Sequence, residues 1–283
     1  MAVITGYTDI STLLPDIWEG AMLVARDNNI MSALIRNFDD ASGMAPRKST
    51  IYGTVTFRNV AETDDVVAQQ YTRALKSTLT PGEVAASFFL SDQRIESDDQ
   101  DIVADAAREL GVGYAQKIET DIISQFGSVT GGTIGTNATA MTWGKILAAQ
   151  SVLRAANAPM PYTVALHPYQ WHNLGTALTV AATTQPTRSG LTDSLVNNFF
   201  VGNAYGIDFF VTSNVPITSS AANGIMFSRD ALALDVRRAS RLERDRKVSR
   251  RGWELVMSAV YGFGTWRPEW GITLAGTCVA PSS

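Results

Sequence analysis

The chain has 283 residues, of which 45% are apolar and only 18% are charged, a balance typical of a globular protein with ample material for a core. Its formal net charge of -4 excludes a polycation that would bind nucleic acid or an anionic membrane through overall charge. The single cysteine, Cys278, excludes an intramolecular disulfide and a cysteine-rich zinc site, and no apolar run approaches the roughly 18 residues that span a bilayer.

Residues 1–45 are predicted to form an arm that cannot bury its apolar side chains alone. Pro15 suits a first helical position, and a short helix containing Trp18 is predicted to run to about residue 28. A second apolar patch, from Ile30 to Phe38, recurs at helical spacing. The arm is therefore expected to pack on another surface.

Residues 46–90 are predicted to form an extended two-stranded ribbon. Alternation from Ile51 places Val55 and Phe57 on one side of a strand and Arg58 on the other. A second alternating stretch, from Val84 to Leu90, is expected to be the return strand, with a polar tip between the two. Because an isolated two-stranded ribbon is marginal in water, this one should lean on its own domain or on a neighbouring subunit.

The strongest element is a long helix, predicted over about residues 98–126. Ser97 and Gln100 form a capping box, and Asp98 and Asp99 lie in the first turn, where the helix dipole favours carboxylates. Its apolar residues recur at helical spacing, and at about 1.5 Å per residue the helix is on the order of 40 Å long. A helix of this length is expected to be the backbone of a domain.

After a glycine- and threonine-rich linker, helices and strands alternate in the manner of an α/β domain, and the last quarter of the chain turns to strands. The whole pattern predicts an α+β fold. In chain order the predicted elements are helix 143–156, strand 162–166, helix 168–177, an exposed loop at 180–199, and strands 206–212, 224–227, 232–236, 254–261 and 271–274.

The segment from Arg237 to Arg251, between two predicted strands, holds eight basic and two acidic residues. Three explanations stay open: contact with nucleic-acid phosphates, pairing with acidic surfaces of identical neighbours, or a solvated hairpin. Pairing with neighbours is favoured. The absence of exposed aromatic residues between the arginines counts against the binding of single strands, which needs stacking platforms.

Motifs for catalysis and cofactor binding find little support. Gly111-Val112-Gly113 lacks the third glycine of a dinucleotide fingerprint and lies inside the predicted long helix. His167 and His172 are not spaced as metal ligands on one helical turn, and a Cys–His pair would depend on Cys278, near a C-terminus expected to fray. We therefore expect no catalytic residue, no metal ligand and no cofactor.

The order of the elements resembles the Hong Kong 97-type fold of tailed-bacteriophage major capsid proteins, a fold that encapsulin compartments share. That order is an arm, an extended ribbon, a long helix, an α/β region and closing strands. Short motifs across nearly the whole chain also resemble this family: Leu14-Pro15-Asp16-Ile17-Trp18, Leu166 to Trp171, Gly206 to Pro216, Met226 to Ala231 and Thr265 to Trp270.

The resemblance implies a division of the chain into four parts. These are an N-terminal arm at 1–45, an extended loop at 46–90, a peripheral domain at 91–134 and 231–283 built on the long helix as its spine, and an axial domain at 135–230. It implies a major capsid protein rather than an enzyme. Alternatives are an encapsulin-like compartment shell, another virion structural protein and, less favoured, a small-molecule α/β enzyme.

The implied partners are many copies of the chain itself, arranged as hexamers and pentamers of an icosahedral head around the phage genome. Scaffolding, portal and decoration proteins are further candidates, packaged double-stranded DNA would be touched weakly and non-specifically, and no membrane is involved. The implied location is the virion, assembled in the cytoplasm of a bacterial host.

On this mapping the basic stretch lies at a tip of the peripheral domain where three subunits meet. Arg246 is then expected to form a salt bridge to Asp99 of a neighbour. The candidate inter-subunit contact residues are Trp18, Val55, Phe57, Arg58, Asp98, Asp99, Arg241, Arg244, Arg246, Arg250 and Arg251.

Overall fold

A computed structural model describes residues 30–281 except 54, 61, 63–64, 66–67, 71, 98–101 and 182–199. The predicted helix before residue 28, with Trp18, lies outside the described residues. So do Asp98 and Asp99, and most of the loop predicted at 180–199. Among the described residues, no helix is long and apolar enough to cross a membrane.

The described chain contains five α-helices and thirteen strands. The helices are α1 (Met31–Leu34), α2 (Asp92–Ser97), α3 (Ile102–Ile123), α4 (Trp143–Ala155) and α5 (Pro168–Ala181). The strands are β1 (Arg36–Phe38), β2 (Arg47–Tyr52), β3 (Arg73–Leu79), β4 (Gly82–Ser91), β5 (Thr133–Gly135), β6 (Tyr162–Leu166), β7 (Phe200–Ala204), β8 (Ile207–Val211), β9 (Ile217–Thr218), β10 (Ala221–Ser228), β11 (Leu232–Lys247), β12 (Gly252–Thr265) and β13 (Gly271–Thr277).

The long helix α3 packs on a four-stranded sheet in the order β1-β11-β12-β4. Ile118 and Ile122 recur four residues apart on one side of α3, where they share a buried cluster with Ala259 and Tyr261 of β12. The 22 residues of α3 span about 33 Å, and a short 3-10 turn continues it to Gly127, where the helix was expected to close. The described part of the predicted long helix is therefore confirmed.

A second, seven-stranded sheet carries helices α4 and α5. Its order is β5-β13-β10-β6-β8-β7, with β9 paired to β10. Strand β6 is buried along its whole length and runs parallel to β8, as expected of an α/β arrangement. Ile146 and Leu153 of α4 are fully buried in the core cluster that includes Phe209 of β8. This sheet and its helices enclose the second large core of the described residues, the first being the core beneath α3.

The third sheet is a two-stranded ribbon, and the strand pairing that the sequence predicted for it is wrong. Strand β2 pairs antiparallel with β3, from Arg47↔Leu79 to Tyr52↔Arg73. The return strand predicted at 84–90 is instead part of β4, which pairs with β12. Alternation over 84–90 predicted a strand correctly but could not identify its partner, because pairing between distant residues leaves no local pattern, and β3 shows no alternation of its own.

The prediction that the strand starting at Leu232 ends at Val236 is also wrong. Strand β11 runs on to Lys247, so most of the basic segment is part of a long antiparallel hairpin with β12. Two register shifts, between Val236 and Arg238 and between Arg238 and Arg241, interrupt the pairing. Charged residues are tolerated in this half of the strand because it lies largely exposed beyond the buried core.

Candidate interaction surfaces

The ribbon, which consists of β2, β3 and the chain between them, exposes several large apolar side chains. Phe57 is 94% exposed and Val55 is 54% exposed. Tyr52, Val60 and Leu75 are exposed as well. Single exposed apolar residues are ordinary, but a concentration of them on one projecting element is typical of a surface that an assembly buries.

Strand β2 ends at Tyr52 rather than continuing through Val55 and Phe57 as predicted, and further hydrogen bonds join the described residues beyond it. Gly53 donates its backbone N–H to the Thr72 carbonyl at 2.8 Å. Further out, the side chain of Gln69 replaces a strand partner: its Oε1 accepts from the Thr56 N–H at 3.1 Å, and its Nε2 donates to the Thr56 carbonyl at 2.8 Å. Arg58 donates to the Asp65 carbonyl at 2.5 Å, within the same part of the ribbon.

The base of the ribbon, by contrast, is anchored to the body. Leu79 is completely buried, and Ser77 donates its hydroxyl to the Trp266 carbonyl at 3.1 Å. Lys76 lies 3.4 Å from the carboxylate of Glu269. The ribbon therefore has a fixed end and an exposed apolar end, the distribution expected of an element that docks elsewhere.

A cluster of four charged residues, here called the base cluster, lies where the ribbon leaves the body: Asp40, Arg47, Asp235 and Arg237. The Asp235 carboxylate is completely buried and accepts from Arg47 Nε at 3.1 Å and from Arg237 Nη2 at 2.7 Å. Arg47 also pairs with Asp40, and this hydrogen bond lowers the pKa of the Asp40 carboxyl. Two arginines and two carboxylates thus neutralise each other.

The outer half of the β11–β12 hairpin, here called the outer hairpin, carries the basic residues that the sequence analysis singled out. Arg246 forms a two-pronged pair with Asp92 at the start of α2, with N···O distances of 2.5 and 2.7 Å. The hydrogen bond from Arg246 holds the pKa of Asp92 below its usual value. Arg246 therefore has a partner in its own chain, and its bridge to Asp99 of a neighbour stays a prediction.

Other residues of the outer hairpin are also engaged within the chain. Arg241 lies 2.9 Å from Glu243, and Lys247 lies 3.4 Å from Glu254. Arg251 takes a left-handed conformation with φ 49° at the turn, and its carbonyl accepts the Asp92 N–H at 3.0 Å. The hairpin is less strongly cationic than the sequence of Arg237–Arg251 alone indicates.

Aromatic rings from outside the basic segment lie beside these arginines, although the segment itself contains none. The guanidinium carbons of Arg244 and Arg246 lie 5.4 and 5.1 Å from the ring centre of Trp253, and that of Arg250 lies 6.0 Å from the ring of Phe89. The rings belong to β12 and β4, outside the basic segment, so inspection of that segment could not find them. The arginines cover these rings, which makes them poor stacking platforms for bases.

A groove between α3 and β4 is a surface that the sequence did not indicate. Strand β4 is an edge strand among the described residues, and its Phe88 and Phe89 are partly exposed. Val84, Phe88, Gly113 and Tyr114 are among the residues that line the groove, which has a volume of about 370 Å³. Gly113 contributes no side chain to close it, and this glycine inside a helix is the one signal that sequence reasoning could have used.

Cys278 and His167 meet in the core, contrary to the expectation of a frayed C-terminus. Strand β13 continues through Thr277, and Cys278 donates its N–H to the Ser220 carbonyl at 2.7 Å. The thiol lies 3.1 Å from His167 Nδ1, which also accepts the Tyr169 N–H. Burial raises the pKa of Cys278 and lowers that of His167.

These pKa shifts are opposite to those of a thiolate–imidazolium pair and are typical of a buried structural hydrogen bond. Among the residues that the structure describes, no group of three or more His, Cys, Asp or Glu side chains is placed to hold a metal ion.

The sequence of this chain matches a known protein family, and its fold matches solved structures. A family model described as "Phage capsid protein" matches residues 76–274. No curated protein matches the chain.

Several solved structures share the fold. The capsid of cyanophage P-SCSP1u matches with a TM-score of 0.68 at 14% identity, covering 89% of both chains, and that of Ralstonia phage GP4 with 0.67 at 11% identity, covering 88% of both. A virus-like particle from Pyrococcus furiosus matches with a TM-score of 0.59 at 14% identity, covering 92% of this chain and 98% of that one.

Proposed function

The chain belongs to the phage capsid protein family and is a major capsid protein of an icosahedral head, and we propose that its copies are held together mainly by the ribbon and the outer hairpin. We further propose that these copies form hexamers and pentamers. A closed shell of this kind needs the same patches repeated around symmetry axes, with many modest contacts adding up.

The observation that supports this proposal most is the contrast between the two ends of the ribbon. Leu79 at the base is completely buried, whereas Phe57 is 94% exposed. A side chain of this size, held out on an anchored ribbon, gains about 2 kcal/mol if a second copy buries it. The ribbon is therefore best explained as an element that binds a sister subunit.

The outer hairpin is proposed as the second contact, near a point where three subunits meet. Its arginines would pair with acidic residues of neighbours, as in the expected bridge from Arg246 to Asp99 of a neighbour. Because Asp92 already engages Arg246 in the same chain, the neighbour's carboxylate would have to share or replace that partner. Such contacts are screened by salt, so assembly should depend on ionic strength.

We also propose partners for the shell and a place where it assembles. Scaffolding, portal and decoration proteins would join the shell, packaged double-stranded DNA would be touched only weakly, and assembly would take place in the cytoplasm of a bacterial host. The domain division given above, with a peripheral domain at 91–134 and 231–283 and an axial domain at 135–230, is proposed on the same basis. Strand β13 of the seven-stranded sheet comes from the segment assigned to the peripheral domain, so the two parts would share that sheet. No catalytic, metal or cofactor role is proposed for any residue.

A second candidate function is a compartment shell that encloses no genome. The observation that favours it is the similarity to the Pyrococcus furiosus virus-like particle, of whose chain 98% is covered. The fold is compatible with both functions, so the contents of the particle decide between them.

Negative-stain microscopy of purified protein tests the proposal directly. Hollow closed particles are expected as the concentration rises, and particles isolated from infected cells should contain nuclease-protected DNA. Closed particles that protect protein cargo and no DNA would favour the compartment, and a sample that remains monomeric at every concentration would refute both.

A further inference from the structure

The base cluster supports an inference about the direction of the ribbon. We propose that Asp235 is a positioning residue, which fixes the angle at which the ribbon leaves the body and so orients it in advance for a sister copy. This inference rests on the proposed function, because the angle matters for assembly only if the ribbon docks. It concerns residues that lie apart from the exposed contact surfaces themselves.

Asp235 is placed at the centre of the four-stranded sheet. It lies opposite Gly262 of β12 on one side and Phe38 of β1 on the other, and none of its surface is exposed. Its carboxylate is reached from the ribbon by Arg47, the first residue of β2, and from its own strand by Arg237. A residue in the rigid sheet thus holds the first residue of the ribbon.

Arg47 is restrained from three directions. Its Nε donates to Asp235, its Nη2 donates to Asp40, and its guanidinium carbon lies 4.3 Å from the ring centre of Phe38. An arginine head is planar and its donors have a fixed geometry, so three partners together define its orientation. The neighbouring Arg237 adds a bond from Nη2 to the Ala45 carbonyl at 3.1 Å, which ties down the chain just before β2.

Net stability is a poor explanation for such a cluster. Burying charges costs several kcal/mol of desolvation per ion, which the attraction between them only partly offsets. Asp235 Oδ1 is buried and has no hydrogen-bond partner among the described residues, so the site is not fully satisfied. What the cluster offers instead is a defined geometry, as a buried polar residue does when it fixes the register of a coiled coil.

The ribbon has other attachments that do not depend on these charges. Leu79 is buried at the base of β3, Ser77 bonds to Trp266, and the rings of Phe38 and Trp266 lie 4.9 Å apart. Without the base cluster, the ribbon should therefore stay attached to the body but pivot about that attachment. Loss of direction can then be separated from loss of the fold.

The test uses a charge-free variant of the full chain, Arg47→Met with Asp235→Leu and Arg237→Met. It removes the buried charges of both signs together and leaves no unpaired buried charge, so its melting temperature is expected to stay at or above that of the wild type. Spin labels at Thr56→Cys on the ribbon and Ser151→Cys on α4, both exposed, report the ribbon angle by pulsed EPR in unassembled subunits. The distance distribution should broaden, and the assembly rate followed by light scattering should fall by roughly tenfold, because fewer subunits present the ribbon correctly.

A single variant, Arg47→Lys, guards against misfolding of the triple variant. It keeps the charge and loses the planar head, so a smaller broadening is expected with an unchanged melting temperature. A distribution as narrow as the wild type in both variants would overturn the positioning role. So would a broadened distribution with an unchanged assembly rate. Failure of the wild type to assemble would count against the proposed function instead, while the EPR result would still judge Asp235.

Discussion

Replacing Phe57 by alanine should weaken assembly while leaving the isolated subunit intact. Because this side chain is 94% exposed, its truncation removes almost no buried surface, and the free energy of unfolding should change by no more than about 0.5 kcal/mol. Burial on a sister copy would contribute about 2 kcal/mol, which the variant loses. That loss corresponds to a roughly thirtyfold weaker equilibrium constant for one contact, and every subunit contributes one such contact.

The assay compares the critical concentration for assembly, from light scattering, with the free energy of unfolding, from urea titration of unassembled subunits. Val279→Ala is the matched control, since this residue is also exposed, at 58%, but lies at the end of β13, away from the ribbon. Leu79→Ala is the opposite control and should cost about 2–5 kcal/mol in unfolding because Leu79 is fully buried. An unchanged critical concentration for Phe57→Ala would refute the ribbon's role.

Three further predictions concern the body. The Arg246 hydrogen bond lowers the pKa of Asp92 in the folded state, so its contribution to stability is complete above the usual aspartate pKa of about 4 and is lost as the pH falls through the lower folded value. Asp92→Asn should remove that part of the acid sensitivity of the melting temperature, and an identical pH profile would contradict the pairing. Tyr261 donates its hydroxyl to Asp121 at 2.8 Å in the core, so Tyr261→Phe should cost about 1–2 kcal/mol in urea unfolding, and no loss would disprove the bond's importance. Burial raises the pKa of the Cys278 thiol, which should react with a thiol reagent only after unfolding; rapid reaction of native subunits would show that the site is open.

The elements that sequence patterns predicted well are those whose apolar residues are buried in a core. The helix expected at 143–156 is observed at Trp143–Ala155, and the strand expected at 162–166 has those same bounds. In the helix the buried residues recur on one face, and the strand is a short continuous run of buried residues, so each local pattern records the secondary structure. The order of such elements was sufficient to indicate the fold.

The exposed strands could not be placed in this way. Strand β3 is exposed at most of its positions, so its sequence carries no alternation, and the return strand was assigned to residues 84–90 instead. The outer half of β11 is likewise largely exposed, and its charged sequence was placed between two predicted strands rather than within one. Where neither face is buried, register follows from pairing alone, and pairing between distant residues leaves no local pattern.

The residues of the candidate surfaces divide in the same way, into those that a local sequence pattern reveals and those that it does not. Exposed apolar residues such as Phe57 could be recognised because they alternate within a segment poor in core residues. The base cluster could not, since Arg47 and Asp235 are 188 positions apart and neither stands in a recognisable motif. A Cys–His pair was considered but set aside because the C-terminus was expected to fray. No local pattern shows that Cys278 is held in the core beside His167, 111 positions away.

The central claim is that Phe57 and the rest of the exposed ribbon are buried by sister copies of the chain. A cryo-EM reconstruction of assembled particles, at a resolution that shows side chains, measures this directly. The account predicts closed icosahedral particles in which the ring of Phe57 is enclosed by residues of another subunit. Particles in which that ring faces solvent, or packs only on its own subunit, would contradict it.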